Sequence, residues 1–349
     1  MDGNPNGEIA DMNPKLAHRL TARCFLAPLL VLLSAIDVPA DDAEKAAADA
    51  YPILPEAVTS FGAAVQGHDL YIYGGHMGRA HEYYKQAQAN TLYKLNLAMS
   101  SKWEKLSTGP RVQGLAMVTY RGMLYRIGGF SALNNDGDEK DLHSQDDVAR
   151  FDPEGKKWQD LAPLPQPRSS FDAAVLDGKI YVVGGWRMQG EKDAVWHDSA
   201  YALDLNSGKL GWSQLPKPPF VRRALSVAAY DGKIYAVGGM QESGKPSTEV
   251  FVFDPAKNDW SKGPNLIGEP LEGFGSSAFA QNGRLYVSTI KGNLQRLNKD
   301  GSAWETVQQL KDERFFHRML PYGTNKLLMI GGANMGVGKF DTVGVIEVD

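Results

Sequence analysis

The chain has 349 residues, with 37 Lys+Arg against 41 Asp+Glu and a formal net charge of −4, so no global basic field draws in nucleic acid or an anionic membrane. Thirty-seven glycines and 10% aromatic residues suit a protein of strands and turns. The one cysteine, Cys24, lies in the segment read below as an export signal, which leaves the remainder without a disulfide, a cysteine zinc ligand or a thiol nucleophile.

At the N-terminus Lys15, Arg19 and Arg23 precede an apolar run over 25–36, and Val38-Pro39-Ala40 stands before Asp41-Asp42. Basic residues, a short apolar stretch and small residues before the cut are the parts of a secretory signal, and the run is too short to span a bilayer. Residues 1–40 therefore read as a signal peptide cleaved after Ala40, with Met1 or Met12 as the start. Cys24 precedes the apolar run, so it is no lipoprotein anchor. Residues 41–47 read as a short charged segment, and the product as periplasmic or secreted, monomeric, with no membrane span.

Self-similarity decides the rest. LYIYGG ending at Gly75, LYRIGG at Gly129, IYVVGG at Gly185, IYAVGG at Gly239 and LLMIGG at Gly332 recur at steps of 54, 56, 54 and 93 residues. The last step holds two units, and the missing copy is Arg284-Leu285-Tyr286-Val287-Ser288-Thr289, without the glycines. Six units follow. Each reads as four strands; in the third they cover 171–176, 179–185, 200–206 and 212–215. Alternating apolar and polar residues around Asp177-Gly178, Asp231-Gly232 and Asn282-Gly283 are the signature of tight hairpins.

A tryptophan opens the fourth strand at 103, 158, 212, 260 and 304, but the chain ends at Asp349, just after the sixth third strand. Residues 54–65 match 164–175 at a constant offset of 110, so residues 48–53 stand where a fourth strand stands. That segment is expected to complete the last unit and close the ring.

The Gly-Gly pairs, the tyrosine before them, Phe151-Asp152-Pro153, Phe253-Asp254-Pro255 and the spaced tryptophans together resemble the Kelch repeat. The resemblance covers 48–349 and implies an all-β, six-bladed Kelch β-propeller with four antiparallel strands per blade. Departures are Ser288-Thr289 in the fifth unit and Ala48 or Tyr51 where the sixth would carry tryptophan.

In such a fold the loops between second and third strands, roughly 15, 17, 13, 9, 3 and 10 residues long, emerge with the unit-to-unit links on one face. Long loops on a rigid scaffold are where binding sits, so that face is the expected site. Arg111, Arg168, Arg222 and Arg314 stand just before the innermost strands and suit an anion through bidentate hydrogen bonds, or tie one blade to its neighbour. Residues that do not repeat, His76, Arg79, Trp186, Glu272, Lys291 and His317, are the further candidates for a polar small-molecule site. His76, His81 and Glu82 follow no metal-ligand spacing, and Asn134-Asn135-Asp136-Gly137-Asp138-Glu139 lacks the EF-hand order. No metal or cofactor is expected.

Two functions follow. The first is a binding module that holds a protein, peptide or glycan on the long-loop face. The second rests on a resemblance to exported N-acetylneuraminate epimerases, which implies a mutarotase acting on a small sugar acid, with Glu272 and Arg222 or Arg314 as its acid-base group and cation.

Overall fold

The computed structural model describes residues 51–99 and 102–349; the expected signal peptide, the segment 41–47 and residues 48–50 lie outside them. The first sheet runs β1 (Gly62–Gln66), β2 (Asp69–Tyr73), β3 (Thr91–Asn96) and β4 (Glu104–Thr108). The second has β5 (Ala116–Tyr120) and β6 (Met123–Ile127), then, past the loop strands β7 (Phe130–Ala132) and β8 (Leu142–Ser144), β9 (Val148–Asp152) and β10 (Lys157–Asp160). The third has β11 (Asp172–Leu176) and β12 (Lys179–Val183), then, past the hairpin β13 (Trp186–Gln189) and β14 (Lys192–Trp196), β15 (Ala200–Asp204) and β16 (Trp212–Gln214).

The two-residue β17 (Arg222–Arg223) precedes the fourth sheet, which has β18 (Ser226–Tyr230) and β19 (Lys233–Val237), then, past β20 (Met240–Gln241), β21 (Val250–Asp254) and β22 (Asp259–Lys262). The fifth is β23 (Ser277–Gln281), β24 (Arg284–Ser288), β25 (Asn293–Leu297) and β26 (Trp304–Gln309). The last has three strands, β27 (Arg318–Tyr322), β28 (Lys326–Ile330) and β31 (Val343–Glu347), with β29 (Ala333–Asn334) and β30 (Gly338–Lys339) in its loop. All ladders within these sheets are antiparallel. Among the described residues helix is confined to the single turns Lys85–Ala87 and Pro270–Gly273, and none is long and apolar enough to cross a membrane.

All six second strands share one burial pattern, an outer first residue and four buried ones, which is why they read as nearly unbroken apolar runs rather than alternating ones. Both faces of each sheet are covered by neighbours. The apolar side chains accordingly form six clusters, one between each sheet and the next and one between the sixth and the first.

The first strands lie side by side in the order β1, β5, β11, β18, β23, β27, and β27 lies against β1. Ahead of each strand one residue has a left-handed backbone: Ser60 (φ 54°), Gly114 (64°), Ser170 (54°), Ala224 (52°), Gly275 (61°) and Phe316 (53°). Their peptides bond one another in sequence, Gly114 N–H to Ser60 O (2.7 Å), Ser170 to Gly114 (2.8 Å), Ala224 to Ser170 (2.7 Å), Gly275 to Ala224 (3.1 Å), Phe316 to Gly275 (2.9 Å) and Ser60 back to Phe316 (3.2 Å). A left-handed non-glycine residue costs about 1 kcal/mol, which a peptide hydrogen bond of similar worth offsets.

Of the segment 48–53 expected as a closing strand, the structure describes residues 51–53. Residues 51–54 form no strand, yet Leu54 donates to Asp341 O (2.6 Å) and packs with Tyr51 against Leu320, Leu328 and Val343 of the last sheet. The Trp103 indole donates to Pro52 O (3.2 Å) as Trp212, Trp260 and Trp304 donate to Ala162, Pro216 and Pro264. Pro52 thus stands where Ala162 stands, at the offset of 110. Trp158 is the exception, with no acceptor for its indole among the described residues; Arg126 stacks over it and over Tyr73 instead.

The first residues of the six inner strands are Gly62, Ala116, Asp172, Ser226, Ser277 and Arg318. Four are small, and the two charged ones are of opposite sign and three sheets apart. Arg318 donates to Phe61 O (3.1 Å), Leu115 O (3.1 Å) and the Asp172 carboxylate (2.9 Å), whose other oxygen accepts from Val227 N–H (3.0 Å). One side chain of the last sheet thereby joins the first, second and third, and through Asp172 the fourth. Asp172→Ala is expected to lower stability by about 2 to 4 kcal/mol in urea unfolding, the lower part of the range because Arg318 keeps 21% exposure. Asp172→Leu with Arg318→Met should recover much of the loss; equal stability of Asp172→Ala and the parent would show that the pair holds nothing.

Candidate functional site

The glycine pairs tell which linker residues are equivalent. Gly75 N–H bonds Val112 O, Gly129 bonds Arg168, Gly185 bonds Arg222, Gly239 bonds Gly273 and Gly332 bonds Val58. Val112, rather than Arg111, therefore stands with Arg168 and Arg222, and Arg111 is one residue off. Its Nη1 bonds Gln88 O (2.6 Å) and the side chain is otherwise exposed.

The other three arginines do not converge on a ligand; each staples the end of its second strand to the start of its third. Arg168, with no exposed surface, donates to Gly184 O (3.0 Å), Ser199 O (3.1 Å) and Ser199 Oγ (3.0 Å) and lies over Tyr201. Burial pulls its guanidinium down to about 10. Arg222 donates to Gly238 O, Glu249 O and the Glu249 carboxylate between Phe220 and Phe251. Arg314 donates to Gly331 O, Asp312 and Thr342 over the Phe340 ring.

Several residues that do not repeat are interior as well. His317 occupies the place of Phe61, Leu115, Phe171 and Leu225, the residue after the left-handed one. Those apolar side chains pack on the first glycine of a pair, as Phe61 packs on Gly331 and Phe171 on Gly128. In the fifth sheet β24 ends at Ser288 in the register of Tyr73 and Val183, so Thr289 and Ile290, rather than Ser288 and Thr289 as expected, stand in place of the glycine pair, and the Ser288 hydroxyl meets His317 Nε2 at 2.5 Å. The odd serine and the odd histidine are one exchange, two apolar or aromatic side chains replaced by a hydrogen-bonded pair. Glu272 is buried too, Oε1 accepting from Asn293 (3.0 Å) and Oε2 without a partner among the described residues. His76 turns Nε2 to Arg79 O (2.9 Å) in a loop clamped by Lys339 Nζ on Met77 O and Gly78 O. The side chains of Arg79 and Lys291 are exposed.

Burial drives His317 down to about 3 and His197 to about 4, and lowers His76. These histidines are neutral when folded and take up protons on unfolding, so their share of stability is complete above about pH 6.5 and is lost as pH falls toward 3 to 4. Urea unfolding should show stability falling between about pH 6.5 and 4.5, before carboxylates titrate. His317→Phe with Ser288→Val should reduce that slope; a flat profile in this window would contradict the burial of these rings.

What the sequence reading missed is Arg223. Residues 222 and 223 form β17, so their side chains take opposite sides, Arg222 inward and Arg223 toward the loops. Its guanidinium lies 4.2 Å from the Trp186 ring centre and 5.4 Å from that of Trp196, and these two tryptophans pair across the β13–β14 hairpin. Among the described residues no hydrogen bond or ion pair holds the guanidinium, whose Nε is buried without a partner, and burial lowers its pKa. Tyr83 stands near enough that Arg223 opposes the rise burial gives its hydroxyl, and its loop is fixed by Asn134 Nδ2 on Tyr83 O (2.8 Å) and by Phe130 against the ring. Asn134 is thus spent on joining two loops. The Trp186 indole N–H also lacks an acceptor. Donors without acceptors, walled by aromatic rings, make this a place for an oxyanion.

Among the described residues, no group of three or more His, Asp or Glu is placed to hold a metal ion. Two shallow grooves, around Tyr230 and Lys299 and around Tyr181 and Lys209, lie between neighbouring sheets near the short turns, away from Arg223.

The family model of the Kelch motif matches residues 167–219 and 222–267, the third and fourth units. These two units carry the Kelch motif, and the chain is similar to Kelch-repeat proteins. Kelch-like protein 35 of Mus musculus is 28% identical over 225 residues, 64% of this chain and 34% of that protein. Kelch domain-containing protein 10 of Xenopus tropicalis is 24% identical over 307 residues, 80% of this chain and 69% of that protein. The chain spans only 34% to 40% of the length of Kelch-like protein 35 from mouse and human and of Kelch repeat and BTB domain-containing protein 12 from Danio rerio. A solved Kelch neighbour, "Structure of YjhT", superposes with a TM-score of 0.69 at 20% identity, covering 86% of this chain and 97% of that one, a likeness of fold.

Proposed function

We propose that the six sheets are the blades of a closed six-bladed propeller, and that this Kelch protein is an exported binding module engaging a protein, peptide or glycan on its long-loop face. The circuit of six linker hydrogen bonds and the seating of residues 51–54 on the last sheet support the closure. Export rests on the basic residues, apolar run and small residues of 1–40.

The observation that carries the binding reading is the Arg223 guanidinium, held between tryptophan faces with no hydrogen bond of its own. A half-buried cation without an acceptor is costly for a fold and useful for a ligand. Binding is favoured over sugar acid mutarotation because the acid-base pair that catalysis needs is not assembled. Glu272 is turned to Asn293, while Arg222 and Arg314 are spent on their own sheets.

A thermal-shift screen of acidic and neutral sugars and of acidic peptides tests this. A ligand at a hundred times its dissociation constant stabilises by about 2.7 kcal/mol. Arg223→Ala should abolish the shift of any hit and change the unliganded stability by less than about 1 kcal/mol, whereas Arg168→Ala should cost about 3 kcal/mol with or without ligand. Hits whose shift survives Arg223→Ala would move the site elsewhere.

A further inference from the structure

Two departures from the repeat meet between the first and second sheets, and both are hydrogen-bond donors. Arg126 is the fourth residue of β6, a place held in the other five sheets by Ile72, Val182, Ala236, Val287 and Met329. All five of those side chains are apolar and buried. Trp158 is the other departure, the indole left without the carbonyl that Trp103, Trp212, Trp260 and Trp304 each find.

Arg126 keeps 6% of its surface exposed, and its guanidinium carbon lies 5.6 Å from the centre of the Tyr73 ring and 5.4 Å from that of Trp158. Among the described residues it makes no hydrogen bond or ion pair, and its Nε is covered. The Tyr73 hydroxyl is turned to Pro110 O (2.7 Å), Phe151 stands 5.1 Å from Trp158 ring to ring, and the side chains around them, Leu92, Leu115 and Leu124, are apolar. Ring faces attract the charge but replace none of the hydrogen bonds that water gave its N–H groups. A buried charge is ordinarily paired, and a buried donor ordinarily bonded. The Trp158 N–H is a second unmet donor, and a guanidinium has no acceptor to offer it. What the two lack in common is an acceptor that carries negative charge.

We propose that a small monovalent anion of chloride size binds between the first and second sheets, accepting from the Arg126 guanidinium and the Trp158 indole N–H. One negative charge balances one positive charge. The narrow exposure of Arg126 admits a bare ion, whereas a sugar or a peptide is too large to enter between the sheets. Among aromatic and apolar walls the ion and the guanidinium attract one another more strongly than they do in water. An arginine in an apolar position and an indole without its carbonyl then have one cause, a shared ligand. This site is independent of Arg223, which lies in the linker ahead of the fourth sheet.

Thermal unfolding of the intact protein in mixtures of sodium chloride and sodium gluconate, at one ionic strength so that screening is constant, tests this. The parent's Tm should rise by about 3 °C for each tenfold in chloride above the dissociation constant. Arg126→Met restores the apolar character of the other sheets; it should lose that rise and, in gluconate alone, melt at or above the parent. Trp158→Phe should move the rise to at least about tenfold higher chloride, since one of the two donors is gone. Arg223→Gln should leave the rise in place. Crystals soaked in bromide should show an anomalous peak at hydrogen-bonding distance from both Arg126 and Trp158. A Tm indifferent to chloride, or an equal rise in Arg126→Met, overturns the proposal. A rise lost in Arg223→Gln and kept in Arg126→Met overturns it too, by moving the anion to the loops. A rise lost with Arg126 but unchanged in Trp158→Phe overturns the shared acceptor. Arg126→Met melting below a parent that ignores chloride would show that stacking on the rings is all this arginine does.

Discussion

Six peptide hydrogen bonds between left-handed linker residues set the position of everything else in this protein. Each fixes where one inner strand begins relative to the last, and the sixth, from Ser60 to Phe316, returns to the start. Because a left-handed residue reverses the chain direction, the residues just before it are held in one phase in all six linkers. Arg168, Arg222 and Arg314 fall on the inner side of that phase and Arg223 on the outer. Two adjacent arginines in one linker thus have opposite fates, one tied to backbone carbonyls and the other left facing the loops.

The same constraint explains where the molecule departs from its own repeat. A glycine pair lets the next linker pack over bare backbone, and in the fifth sheet, where Thr289-Ile290 replace the pair and Ser288 ends the strand, the neighbour changes from an apolar side chain to His317, which a hydrogen bond joins to Ser288. Small residues open the inner strands of four sheets, which leaves room for Arg318 to reach Asp172. Irregularities in a repeat answer one another across the boundary between units, whereas Arg223 has no hydrogen-bonding neighbour among the described residues.

Much of this was legible in the sequence. The glycine pairs and the spaced tryptophans marked the repeat behind the four-stranded antiparallel sheets, because each reports a backbone need that recurs. The site was less legible, for a physical reason. Linkers of differing composition hide which residue is left-handed, so counting back from the glycine pair misplaced Arg111 by one and passed over Arg223. Nor does spacing reveal that His317 and Glu272, odd within the repeat, are interior, since burial depends on the neighbouring sheet. The joining of two loops into the β14-β13-β8-β7 sheet crosses units and leaves no periodic trace.

Native-state hydrogen exchange at the amides of Ser60, Gly114, Ser170, Ala224, Gly275 and Phe316 tests most directly whether this circuit holds the fold together. All six should exchange only through global unfolding, with one shared opening free energy equal to that measured by denaturant. A distinctly lower value at Ser60 or Phe316, with the other four unchanged, would show the first and last sheets parting while the rest stays folded, and would contradict the circuit as the element on which the structure depends.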